Sequence, residues 1–332
     1  MCQAAPNRND NLNRPMGVKM GVKTSDIGEK TGKRNEVQAV GETSKKKDLY
    51  GCINFSPSLS TDAESLEEIR VDMCRKHNQN PKNHDWDTIE TQLRETYSLQ
   101  RDNINEGECV RDLLSKWPFL FTGRCLFLLF KLLVGLDIRN TICEAFSKKA
   151  HRLNKFLKTE SGICKETDEL IREAKVQTAK DSVIAWPPAN ILAIMKYLSE
   201  KEEEPCFTVD DTSTRSEAAD TDSLPWIVCS GKSVLEAKKF RIVVDRVVVL
   251  SDLTSFITSL SALFALFYIR NIQYQHGASA TLEFIQRCFV GINPDKGSKS
   301  DRKRKSSCAG SVNAKVLLRL INQMANFEWT TC

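Results

Sequence analysis

The chain has 332 residues, 41% apolar and 27% charged, with 48 Lys and Arg against 43 Asp and Glu and only four His. This composition excludes collagen-like, wholly disordered and small disulfide-scaffold classes, and the length allows one large or two small cores. A net charge of +5 is too slight to imply nucleic acid by itself, and it is unevenly spread: +4 over residues 1–60, −7 over 199–224 and +5 over 291–315.

The first 60 residues are poor in large apolar side chains and rich in Asn, Lys, Gly and Ser, which predicts a disordered basic tail. They contain no secretory apolar core, so the chain is expected in the nucleus or cytoplasm, with its twelve scattered cysteines as thiols rather than bridges. From Thr61-Asp62-Ala63-Glu64 onward, apolar residues at three- and four-residue spacing predict a helix that ends in the Asn/Pro cluster 78–83. Further helices are predicted over Asp85 to Arg101, Val110 to Trp117, a strongly apolar run opened by Pro118, Ile142 to Leu157 and Lys165 to Lys180. A short helix follows Trp186-Pro187-Pro188, and residues 199–224 read as an acidic linker or loop.

The period then shifts to that of strands. Trp226 to Cys229, Phe240 to Val244 and Val247 to Leu250 predict an antiparallel meander whose tight turn, Asp245-Arg246, needs positive φ at both positions. Helices are predicted again over Leu253 to Ile269, Ala278 to Val290 and Val312 to Phe327. The fold class is therefore α+β and mostly helical, with a helical domain over 61–198 and a small α+β domain over 225–330 that carries a three-stranded antiparallel meander packed by helices. Two apolar runs read as buried helices and not membrane spans. Trp117 to Ile138 is interrupted by Arg124 and Lys131, and Leu253 to Ile269 offers only 17 uncharged residues, five of them Ser or Thr.

Several stretches together carry a family resemblance: Tyr97-Ser98-Leu99-Gln100-Arg101 before Trp117-Pro118-Phe119-Leu120-Phe121, the strands from Val243 to Leu250, and Tyr268 to Tyr274 before Phe284-Ile285-Gln286. The chain resembles the sterile alpha motif domain-containing protein 3-like group of vertebrate proteins over roughly residues 60–330. The resemblance implies no known enzymatic activity. In that group the shared region often follows a sterile alpha motif that polymerises or pairs with partners. The first 60 residues here are too poor in Leu, Ile, Val and Phe to build that bundle, so its self-assembly does not carry over.

Motifs with chemistry are incomplete. Cys74-x-x-His77 with His84 and either Cys52 or Cys109 supplies only one half of a zinc site, so no metal ligand set is assigned. Ser230-Gly231-Lys232-Ser233 has the end of a phosphate-binding loop, but Trp226 stands where its first glycine belongs, and Gly28-x-x-x-Gly32-Lys33 has the wrong spacing. No catalytic or cofactor-binding residue is assigned, and no cofactor is expected. Lys45, Lys46, Lys47, Arg302, Lys303, Arg304 and Lys305 form short basic runs suited to nuclear import or phosphate contact. The expected function is a non-enzymatic intracellular protein-interaction module with an unidentified protein partner. The first alternative is a nuclear nucleic-acid-associated factor using the basic loop 302–305, and the second an enzyme without a recognised signature.

Overall fold

A computed structural model describes residues 57, 62–160, 164–181, 184–200, 206–209, 224–293 and 309–326. The expected basic tail and most of the acidic stretch lie outside the described residues. The mostly helical α+β class is as expected, with a helical first half and an antiparallel meander in the second.

Helix α1 (Ala63–His77) begins after Asp62 and carries Glu64 in its first turn and Arg75, Lys76 and His77 in its last, each sign suited to the helix dipole. A 3₁₀ turn at Pro81–Asn83 leads to α2 (Trp86–Glu95), where the Asp85 carboxylate caps by accepting from the Thr88 amide. The helix expected to run from Asp85 to Arg101 instead breaks at Thr96, and α3 (Tyr97–Asn105) starts anew. Polar side chains hold this break. The Thr96 hydroxyl donates to the Gln92 carbonyl, and the Gln100 amide donates to Thr96 Oγ1 at 2.8 Å and to the Leu93 carbonyl at 3.0 Å.

Helix α4 (Val110–Lys116) is short, and Pro118 opens a 3₁₀ turn, Pro118–Phe121, in place of a long helix. The apolar run becomes α5 (Gly123–Val134), which stops at Gly135 with φ of 86°. Helices α6 (Ile138–Thr159), α7 (Cys164–Asp181) and α8 (Trp186–Tyr197) complete the first half.

Strand β1 (Cys206–Val209) falls within the acidic stretch and was not expected there. Strands β2 (Trp226–Ser230), β3 (Lys239–Val244) and β4 (Val247–Leu253) form the expected meander, to which β1 adds in parallel beside β2. Asp245 and Arg246 have φ of 49° and 60°, as a two-residue hairpin of type I′ requires. One register step places three residues of β4 opposite two of β3, since Phe240 faces Leu253 and Ile242 faces Leu250, and Asp252 accommodates the bulge at φ of 59°.

Helix α9 (Phe256–Ile269) is the centre of the molecule, with twelve of its fourteen residues buried. It packs against α5, α6 and the sheet, and Phe130 of α5 meets Phe264 and Tyr268 edge-on. Ser259 and Ser261 satisfy their hydroxyls on carbonyls one turn back, so they sit inside without an open donor. Among the described residues no helix is long and apolar enough to cross a membrane. Helix α10 (Ser279–Phe284) continues into a π turn at Ile285–Val290, and α11 (Ala309–Asn326) follows. One continuous apolar core runs from Met73 on α1 through α5, the sheet and α9 to Leu320 on α11.

Three polar links cross this core. Arg101, 1% exposed, donates from Nη1 to the Ile269 carbonyl at 2.6 Å and from Nη2 to Asn105 at 3.2 Å, placing a cation at the C-terminus of α9. Arg270 donates to the Glu108 carbonyl at 3.1 Å and lies 3.6 Å from the Asp245 carboxylate, tying the hairpin turn to the α3–α4 loop. Glu200, just beyond α8, accepts from the Ala280 and Thr281 amides at 2.7 and 2.9 Å and so caps α10 from a distant segment.

Two outcomes follow. Arg101→Met should cost about 2 kcal/mol, because a charge-assisted bond to the α9 terminus is lost while the buried carbonyl stays dry; a lower urea midpoint with an unchanged m-value checks this. Glu200→Ala should cost about 1 kcal/mol and speed amide exchange at Ala280 and Thr281, read by hydrogen exchange with mass spectrometry.

Candidate functional site

Three segments meet at one end of the sheet. The first is the start of α8, where Pro187 and Pro188 occupy first-turn positions whose missing N–H groups cost the helix nothing. Ile184, just before that helix, is 69% exposed. The second is the β2–β3 loop, residues 231–238, which folds back so closely that a Cβ on Gly231 (φ of 152°) would stand 3.2 Å from Ala237 Cα. Within it the Glu236 amide donates to the Ser233 carbonyl, and the Glu236 carboxylate accepts from Gln177 of α7 at 3.0 Å. The third is the start of α9, where the Ser255 side chain caps by accepting from the Thr258 amide at 3.4 Å.

Together they enclose a cavity of about 350 Å³ lined by Ile184, Pro187, Pro188, Val234, Ala237, Lys238, Phe240, Thr254, Ser255, Phe256 and Ile257. Pro187, Pro188, Ala237, Phe240 and Phe256 are buried and form its floor, while Ile184, Lys238, Thr254 and Ser255 are exposed at its mouth. Among the described residues lining it are one ammonium and two hydroxyls, with no carboxylate, imidazole or thiol. Such a lining offers apolar contact and orientation; it does not supply a general acid–base pair or a metal ligand set.

The residues singled out from sequence are placed elsewhere. Lys45, Lys46, Lys47, Arg302, Lys303, Arg304 and Lys305 lie outside the described residues. Cys74 Sγ stands 3.3 Å from the Lys116 carbonyl, and Cys109 caps α4 through the Asp112 amide. His77 and His84 both turn ring edges to Phe119, at 5.1 and 5.3 Å between centroids, and His84 also meets Trp86 at 5.4 Å. Among the described residues no three His, Cys, Asp or Glu side chains gather as a metal site. Ser230 to Ser233 leads into the folded-back loop and not into a helix, so it lacks the backbone setting of a phosphate-binding loop. His151 is exposed on α6. Cys74, Cys109, Cys125, Cys143, Cys229 and Cys288 are in no disulfide, and burial pushes Cys125 and Cys288 up to about 11, leaving these two little thiolate for nucleophilic chemistry. The groove itself was missed by sequence reasoning; Pro187-Pro188 after the isolated Ile184 was its one local signal.

The histidine cluster does set a pH response. Burial first, then the nearness of His84, holds the His77 imidazole below its ordinary value of 6.5. The unfolded chain therefore takes up the proton more readily, and the stability present above about pH 6.5 is lost as pH falls through that value. The carboxylates of Glu67 and Asp72, held low by bonds to Arg70 and to Gln92, Lys76 and Arg75 respectively, act only at more acid pH. Tm should fall between about pH 7.5 and about pH 5.5, and His77→Gln should flatten that slope in a thermal melt series.

The packed segment from α1 to the Pro118 turn has a counterpart among known families. Residues 66–122 match the family described as Sterile alpha motif domain-containing protein 3, helical domain. The chain is sterile alpha motif domain-containing protein 3-like over this segment. The match takes in Leu66 of α1, all of α2, α3 and α4 and the Pro118–Phe121 turn, including Arg101 and the His77–His84–Phe119 cluster. The groove is built from residues beyond this sterile alpha motif domain-containing protein 3-like part. No curated protein and no solved structure matches the chain.

Proposed function

We propose that this chain is a non-enzymatic intracellular protein-interaction module, acting in the nucleus or cytoplasm, whose groove between α8, the β2–β3 loop and α9 receives an apolar part of a protein partner. The observation that carries this reading is the 69% exposed Ile184 at the rim of a 350 Å³ cavity with a buried apolar floor. Isolated exposed apolar residues are ordinary, but one continuous with an apolar cavity forms a patch of the kind that recognition surfaces use.

Affinity capture of the full chain and of Ile184→Asp from cell lysate, each with and without nuclease, tests the proposal. A stoichiometric protein retained through nuclease and lost with Ile184→Asp is the expected result. Identical partners for both proteins would remove the groove from the function. Partners lost on nuclease treatment would put the nucleic-acid alternative through residues 302–305 first.

A further inference from the structure

Side chains alternate across a sheet, so Cys229 and Phe240 join the core around α9, while Val228, Ser230, Lys239 and Arg241 share the opposite face of β2 and β3. In the antiparallel register Ser230 stands opposite Lys239 and Val228 opposite Arg241. Ser230 and Arg241 are therefore diagonal neighbours on adjacent strands, about 7–8 Å apart at the backbone and within reach of a long side chain. Ser230 is 4% exposed, and its Oγ is buried without a hydrogen-bond partner. Arg241 Nη1 is buried without a partner as well, although the residue as a whole is partly exposed. Val228, between them on this face, is fully buried.

We infer that Ser230 and Arg241 anchor a binding site for a phosphate-type oxyanion, free or carried as an ester. Buried donors are nearly always satisfied, and leaving one dry costs free energy that a bound acceptor recovers. A guanidinium fork matches the oxygens of a phosphate, and a serine hydroxyl supplies one further donor. An esterified phosphate presents three acceptor oxygens and a charge of about −1.5 to −2 near pH 7, enough to satisfy both groups at once. Lys239, exposed opposite Ser230, adds a second cation at the rim, and the apolar surroundings strengthen each bond. The chain's own acids leave this role open. The bulge sets Ser251 and Asp252 opposite Arg241, yet Asp252 accepts from the Ser251 hydroxyl at 2.9 Å, and among the described residues no carboxylate pairs with Arg241 or Lys239. The hydroxyl of the incomplete phosphate-loop pattern thus works with a cation from the neighbouring strand, so no helix start is required. The site lies on the sheet face away from the groove and does not depend on the docking reading.

The test titrates the full chain with inorganic phosphate and, separately, with O-phosphoserine by isothermal calorimetry in a phosphate-free buffer, with sodium chloride holding the ionic strength constant. Saturable binding of one equivalent is expected for at least one of the two probes. The tighter probe identifies the source, a free ion or an ester, and either supports the site. Arg241→Met should weaken binding about tenfold, because a charge-assisted bond is lost, and Ser230→Ala should weaken it by a smaller factor. Tm without ligand checks the fold of each variant. Should Arg241→Met fail to fold, Ser230→Ala and the exposed change Lys239→Gln carry the test, each with weaker binding as the expected result. Absence of saturable binding by both probes would overturn the inference, and so would binding that folded Arg241→Met and Ser230→Ala proteins retain in full.

Discussion

Helix α9 has no polar face to give to water. From Ser259 to Ile269 every residue is buried, so the helix is stable only where protein surrounds it on all sides. That requirement explains the order of the layers: α5 and α6 cover it on the helical side and the meander on the other. Each of those covers is amphipathic or half-buried and could not bury its own apolar surface without α9. The burial of one fourteen-residue segment thus joins the helices before residue 200 to the sheet after residue 224.

A helix buried on all sides still ends in open carbonyls, and this is where the buried charges belong. Arg101 reaches the Ile269 carbonyl from α3, and Arg270 continues outward to Glu108 and to Asp245 in the hairpin turn. Burial lowers the Arg270 pKa while Asp245 opposes the shift, as expected for a guanidinium kept charged by its partner within the fold. Because Arg101 lies within the family-matched segment and its acceptor lies on α9, the sterile alpha motif domain-containing protein 3-like part is bonded to the chain's centre. The opposite end of α9 is handled by a local Ser255 cap and opens beside the groove. One helix therefore has a sealed carbonyl end and an accessible amino end.

Elements that obey a local rule were legible in the sequence. The β-branched runs gave the meander, and Asp245-Arg246, the two residues between the second and third runs, was read as its turn although both positions need positive φ. Elements decided by distant partners were not. The break at Thr96 depends on Gln100 turning back to the Leu93 carbonyl, which a helical apolar pattern does not reveal. Strand β1 sits in a stretch whose acidic composition argues for a linker, and its pairing comes wholly from the β2 edge. The groove was illegible for the same reason, since its walls come from residues 184–188, 234–240 and 254–257.

The motifs that looked chemical were absorbed into structure by their neighbours. Cys109 serves as a helix cap, His77 and His84 pack edge-on against Phe119, and Gly231 is used for a close backbone approach that a Cβ would crowd. Each of these residue types is versatile because it is small, polar or polarisable, and those same properties make it useful for ending a helix or filling a crevice. Pro187 and Pro188 are the reverse case. They are ordinary helix openers by sequence, yet their rings form part of an apolar floor that remains open to solvent beside Ile184. A residue spent on capping or packing has its polar atoms or rings engaged within the chain, whereas the proline rings at the start of α8 line a cavity whose mouth is open.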